Sequence, residues 1–157
     1  MAFKGYTPYF GVKEQVEQPV SSAVKELEPK ESEYLQLIKS FCSDNEIELM
    51  FVTAPHVEGA EVANKIYNNF EIMADEEGYY FLNGMKCDDE MGIDYSTDFN
   101  DESHLNYWGS CKYTAYLGSI LKKQYEIPDR RGLELYESWN RNVEEVYERI
   151  KDAGYAS

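Results

Sequence analysis

Two short apolar runs on either side of one amphipathic stretch constrain this chain more than anything else in it. "IELMFVTAP" reads as a short buried strand from Ile47 to Thr53, stopped by Pro55, and "YYFLN" (79–83) reads as a second strand. Between them, "GAEVANKIYNNFEIMADEEG" places Val62, Ile66, Phe70 and Met73 at helical spacing and closes on Gly78. Two strands joined by a helix pair in parallel, because only a crossover of that length can return the chain to the same end of the sheet.

Helical patterns flank this unit. "ESEYLQLIKSFCSDN" sets Tyr34, Leu35, Ile38, Phe41 and Cys42 at helical intervals, with Pro29 just upstream. A further helix is expected from about Asn106 to Tyr125, broken by "IPDRRG". A last one covers roughly Glu134 to Lys151, with Tyr136, Trp139, Val143, Val146 and Ile150 on its apolar side. The segment "GMKCDDEMGIDYSTDFNDES" (84–103) reads as a loop rich in acids and turn residues. Residues 1–30 contain Pro8, Pro19 and Pro29 and no sustained periodicity, which describes an extended arm. Tyr6, Tyr9 and Phe10 in its first third imply that it packs on something. The expected organisation is therefore an arm (1–30) followed by an α/β region (31–157) with the look of the C-terminal half of a larger domain. Two strands are too few for a doubly wound sheet and leave an open edge.

Composition narrows the function classes. Fifteen basic against thirty acidic residues give a net charge of −15, which opposes binding to nucleic acid and docking on anionic lipid. No uncharged apolar run approaches a membrane span, and the N-terminus lacks a signal-peptide core, so neither a signal nor an anchor is expected in these residues. Cys42, Cys87 and Cys111 lie far apart without metal-ligand spacing. Packing is the expected role of Cys42 and Cys111. Core use also accounts for most of the fourteen tyrosines, against the alternative of stacking on sugar rings.

The chemistry-bearing stretch is "DFNDESHLNYWGSCK", Asp98 to Lys112. Asp101 and His104 stand three apart just before a helix, at the carboxyl end of a strand and loop, where sites form in open α/β sheets. A histidine acting as general base needs one ring nitrogen held by an acceptor, and a carboxylate three residues earlier can supply it. On the pattern alone, catalysis ranks below a simple helix-entry role for the same two residues, since an acid there also favours the helix dipole. Asp94, Ser96, Asp98 and Asn100 alternate like calcium ligands, but Phe99 and Leu105 stand where the EF-hand loop wants Gly and Glu. A solvated acidic loop is the favoured reading of that segment. His56, after the first strand, is read as a surface residue, with a place on the rim of a pocket as the alternative.

"DFNDESHLNYWGSCKYTAYLGSILKKQYEIPDRRG" resembles the last conserved block of SGNH/GDSL-type hydrolases, and more narrowly the bacterial branch in which an Asp-x-x-His-Leu-Asn segment leads into the final helix. "YESWNRNVEEVY" is similar to the C-terminal extension of that branch, and "FCSDN" followed by "IELMFVTAP" to its penultimate strand unit. The resemblance spans residues of about 31 to 150. It implies part of a three-layer α/β/α sandwich of flavodoxin-like form, with Asp101 as the orienting acid and His104 as the general base. It also implies acyl-ester hydrolysis or transfer, often on O-acylated cell-envelope glycans in an extracytoplasmic setting, with no cofactor and no metal.

The family's Gly-Asp-Ser nucleophile elbow and its oxyanion glycine and asparagine have no counterpart in the sequence. Ser110 and Ser119 fall inside the helix after His104, whereas a nucleophile belongs on a tight strand-to-helix turn. Cys111 is two turns along that helix and poorly placed to meet the histidine. Asn106 reads as a helix cap. The expectation is an Asp/His half of a triad, inactive alone, whose serine lies in a missing N-terminal half or another polypeptide. The alternative is a non-catalytic module that self-associates through its sheet edge as a homodimer.

Overall fold

The computed structural model describes residues 6–152. The fold is mixed α/β with a small parallel sheet. Its elements are α1 (Pro29–Asp44), β1 (Met50–Thr53), α2 (Ala60–Glu77), β2 (Tyr80–Asn83), α3 (Asp88–Met91), α4 (Tyr107–Gln124), a 3-10 turn (Glu134–Tyr136) and α5 (Glu137–Asp152). By its internal contacts the chain divides within α4, after Tyr116, into one compact unit of residues 9–116 and another of residues 6–8 with those from 117 on.

In the first unit, β1 and β2 pair in parallel, with Met50 opposite Tyr80 and Thr53 opposite Asn83, as the crossover pattern requires. The first strand is shorter than its apolar run. Glu46 turns left-handed (φ 54°) and the Ile47 amide donates back to the Cys42 carbonyl at 2.8 Å. Those residues finish α1, and the chain reaches its partner strand only at Met50. Nor is β1 buried throughout, since Val52 remains 45% exposed.

One sheet face carries Phe51 and Phe81 against α2. Phe70 lies 5.6 Å from Phe51 and 5.9 Å from Phe81 between ring centroids, and Tyr67 lies 6.3 Å from Phe81. These spacings suit edge-to-face packing. Gly78, left-handed at φ 77°, ends α2 where the sequence places the stop. Helix α1 turns Leu35 and Lys39 inward. Lys39 pairs with Glu77 and lies over the Tyr79 ring, and Leu35 shares a shallow groove of about 170 Å³ with Phe70 and Met73.

The apolar stripes of α1 and α5 are buried only at Leu35 and Ile150. Tyr34, Leu37, Ile38 and Phe41 are all at least half exposed, and the same holds for Trp139, Val143 and Tyr147, whereas Ile150 is buried. None of the described tyrosines is fully buried, and Cys111, expected in the core, is exposed on α4.

Residues 6–28 contain no helix or strand, yet from Tyr9 on they are bonded to the rest of their unit. The carbonyls of Ser21 and Ala23 accept from Asn68 Nδ2 at 2.7 and 2.8 Å, and the Lys25 amide donates to the Lys65 carbonyl. Asn64, one turn before Asn68, is fully buried, and among the described residues neither its amide nitrogen nor its oxygen finds a hydrogen-bond partner.

The segment expected to be a solvated loop keeps most of its acids at least partly exposed but sends Met85, Met91, Asp98 and Phe99 into the core. It forms the one-turn helix α3, and its Phe99 is 0% and Asp98 2% exposed. Asp98 is buried because its charge is compensated. Its Oδ2 accepts from Lys112 Nζ at 2.5 Å and from the Asp94 amide at 2.8 Å. Tyr95 stacks on Phe99 at 5.1 Å and donates its hydroxyl to Asp88, and that bond together with burial pushes the phenol pKa up.

Candidate active site

Phe99 and Leu105 form an isolated antiparallel bridge, and residues 100–104 close a tight loop between them. The Asn100 amide donates to the His104 carbonyl at 2.9 Å across its neck. Immediately after it, Asn106 caps α4: its Oδ1 accepts from the Gly109 amide at 3.1 Å, the N3 position. Its Nδ2 donates to the carbonyls of Thr97 (2.7 Å) and Gly11 (3.1 Å), so the residue read as a cap also ties three segments together. Gly109 is required here by close approach. A Cβ at that position would lie 2.3 Å from the Asp98 carbonyl oxygen.

The loop brings together the two residues singled out in the sequence. His104 Nδ1 lies 2.8 Å from Asp101 Oδ1. The same oxygen accepts from the Ser103 amide (2.9 Å) in an Asx turn, and Oδ2 accepts from Asn100 Nδ2 (2.9 Å). Bonding from His104, then the Ser103 amide and Asn100, holds the Asp101 carboxyl down at about 2. An ionised carboxylate can only accept, so Nδ1 carries the hydrogen and the neutral imidazole presents its lone pair at Nε2. Among the described residues no group hydrogen-bonds Nε2, and the His104 side chain is 53% exposed. A base so held can take a proton at Nε2 while Asp101 stabilises the imidazolium.

No hydroxyl or thiol of the described residues completes the set. Ser103 donates to the Glu58 carboxylate, Ser110 donates to the Tyr107 carbonyl at 2.8 Å, and Ser110 and Ser119 both lie within α4. The alternating oxygen residues do not converge as ligands either. Asp94 Oδ1 accepts from the amide and hydroxyl of Ser96, Asp98 is turned inward on Lys112, and Asn100 faces Asp101. Among the described residues no group of three or more His, Cys, Asp or Glu side chains is placed to hold a metal ion. No helix among them is long and apolar enough to cross a membrane.

The loop is anchored on the carboxyl end of β1. The Glu102 carbonyl accepts from the amides of Val57 (2.8 Å) and Glu58 (2.9 Å) in the β1–α2 connection, and the Ser103–Glu58 bond adds a side-chain tie. His56, in that connection, is half-buried and engaged at both ring nitrogens. Nδ1 lies 2.9 Å from the Glu58 carbonyl, which can only accept, so Nε2 accepts from the Tyr67 hydroxyl at 3.0 Å. Burial raises the Tyr67 pKa and keeps that hydroxyl a donor.

Three contributors lay outside the residues that the sequence singled out for chemistry. Tyr9 sets its ring 5.3 Å from that of His104, Lys13 pairs with Glu102 at 3.0 Å, and Glu58 holds Ser103. The aromatic start of the arm was the one signal pointing to Tyr9. The Glu58 and Lys13 contacts join segments far apart in sequence and have no local signature. No protein-family model, no curated protein and no solved structure matches this chain.

Proposed function

We propose that the chain carries the acid–base half of a Ser-His-Asp hydrolase of SGNH/GDSL type, acting on acyl esters and, in this branch, on O-acylated envelope glycans. His104 is the general base, Asp101 orients it, and the serine comes from outside these 157 residues. In that reading the two-stranded sheet belongs to a three-layer α/β/α sandwich. The observation that carries it is the Asp101–His104 bond of 2.8 Å with Nε2 directed away from any partner among the described residues. A helix-entry role would need neither the fixed tautomer nor the open nitrogen. The loop's attachment at the carboxyl end of β1 adds the position at which such folds gather their catalytic side chains.

The test is hydrolysis of p-nitrophenyl acetate. The chain alone should match the Asp101→Ala, His104→Ala double variant. Supplied with a Gly-Asp-Ser segment encoded in frame upstream, it should gain turnover that the double variant lacks. Turnover by the chain alone that disappears in the double variant would place the nucleophile inside it and refute this assignment. No turnover with such a segment, supplied in frame or on a second polypeptide, would remove the hydrolase reading.

A second reading is favoured by a separate observation. Among the described residues each strand of the two-stranded sheet has one edge without a partner strand, and Val52 on β1 and the Tyr34, Leu37, Ile38 and Phe41 face of α1 are exposed. A non-catalytic module would pair these surfaces between copies. Sedimentation decides it: a chain that stays monomeric at high concentration is no such module.

A further inference from the structure

His104 is held at one nitrogen on an exposed loop, and one hydrogen bond leaves its ring free to swing about the Nδ1–Oδ1 direction. The second constraint comes from the arm. The Tyr9 ring lies against the imidazole with centroids 5.3 Å apart and planes inclined by 53°. Tyr9 is itself fixed through its backbone, since its carbonyl accepts from the Tyr107 amide at 2.7 Å, at the first residue of α4. That amide is one of the orphan donors of a helix start, so the arm fills a vacancy that α4 creates.

The following residues secure the placement. Phe10 packs on Tyr107 (5.8 Å) and Trp108 (6.4 Å), the Gly11 carbonyl accepts from Asn106, and the Lys13 amide donates to the Phe99 carbonyl. Gly11 is matched to the site by closeness. A Cβ there would stand 2.5 Å from Asn100 Oδ1, and Asn100 is the residue that donates to Asp101 Oδ2.

We propose that Tyr9 and Gly11 are positioning residues for the Asp101–His104 pair, Tyr9 by bracing the imidazole and Gly11 by letting Asn100 reach Asp101. The arm is thus a wall of the site and not a tether to it. As a role in catalysis this rests on the hydrolase reading; as geometry it does not, and its test uses no activity.

The two histidines of the chain make it measurable, because His56 serves as an internal reference. In proton–carbon NMR of the 157-residue chain, Tyr9→Ala should displace the His104 Cε1–H resonance and lower the order of that ring, leaving His56 in place. Tyr9→Phe should restore both. Gly11→Ala should raise the Asp101 titration midpoint, with the His104 and Ser103 bonds still holding it below an ordinary carboxylate. If Tyr9→Ala does not fold, Tyr9→Leu keeps the bulk without the ring and carries the same two readings. An unmoved His104 resonance, a His56 shift as large as that of His104, or no rescue by Tyr9→Phe would each overturn the role of Tyr9. An unchanged Asp101 midpoint in Gly11→Ala would overturn that of Gly11.

Discussion

Asp98 and Asp101 stand three residues apart, on opposite sides of a buried phenylalanine, and do opposite things. Asp98 is 2% exposed and spends its carboxylate on Lys112 and the Asp94 amide. The side chain of Asp101 is 41% exposed, and it too accepts several hydrogen bonds, one of them from an imidazole whose other nitrogen is open. Two carboxylates with similar bond counts therefore differ in what the bonds accomplish. The first set makes a charge tolerable in the core, and the second fixes an imidazole at the surface with its other nitrogen open among the described residues. Hydrogen-bond number separates nothing here; burial, and whether the partner has a free end, separate everything.

The widest gap between the two should appear in stability. Asp98→Ala removes the buried acceptor of the Lys112 ammonium and of the Asp94 amide together and should cost about 3 kcal/mol, read from urea unfolding. Asp101→Asn should move the urea midpoint at pH 7 by a much smaller amount, because the pair is at the surface. A loss of comparable size in the two variants would break the distinction.

Gly109→Ala is the next largest. Alanine favours a helix interior by about 1 kcal/mol over glycine, yet its Cβ would meet the Asp98 carbonyl at 2.3 Å. The net result should be a loss of about 1–3 kcal/mol, and a gain would mean that the Asp98 segment yields easily. Asn106→Ala should follow with about 1–2 kcal/mol, since the α4 cap and two carbonyl contacts go together.

The smallest effect belongs to Asp101 and pH. Its folded carboxyl, held at about 2, lies below the unfolded value near 3.8, so its contribution is complete above about pH 4. It fades as pH falls through 2. The difference in thermal midpoint between wild type and Asp101→Asn should therefore shrink from pH 5 to pH 2. A difference growing over that range would give the wrong sign.

Local order was readable in the sequence where the pattern is local. The stop at Gly78, the cap at Asn106 and the three-residue step from Asp101 to His104 depend on neighbours within a few positions, and the crossover between β1 and β2 on the continuous strand–helix–strand pattern of one short segment. The acidic segment misled because charge density suggests solvent, and nothing nearby announces that Lys112 will neutralise Asp98 two turns into the next helix. The stripe of α1 misled for a different reason. Helical spacing says which residues share a face, not which face is covered, and Lys39 goes inward through Glu77 and Tyr79 while Phe41 stays out. Of the arm's share of the site only the aromatic start at Tyr9 and Phe10 was legible, since the contacts themselves join distant parts of the chain.

That last separation bears on assembly in time. Asn106 and Gly11 are 95 residues apart and Lys13 and Glu102 are 89 apart, whereas Met50 and Tyr80 meet across one helix. Closing the longer span costs more chain entropy and rewards it with only a handful of bonds, so refolding should set the sheet unit first and dock the arm last. The imidazole would then acquire its fixed direction in the closing step of folding, and a nascent chain would hold Asp101 and His104 before the Tyr9 ring lay against them.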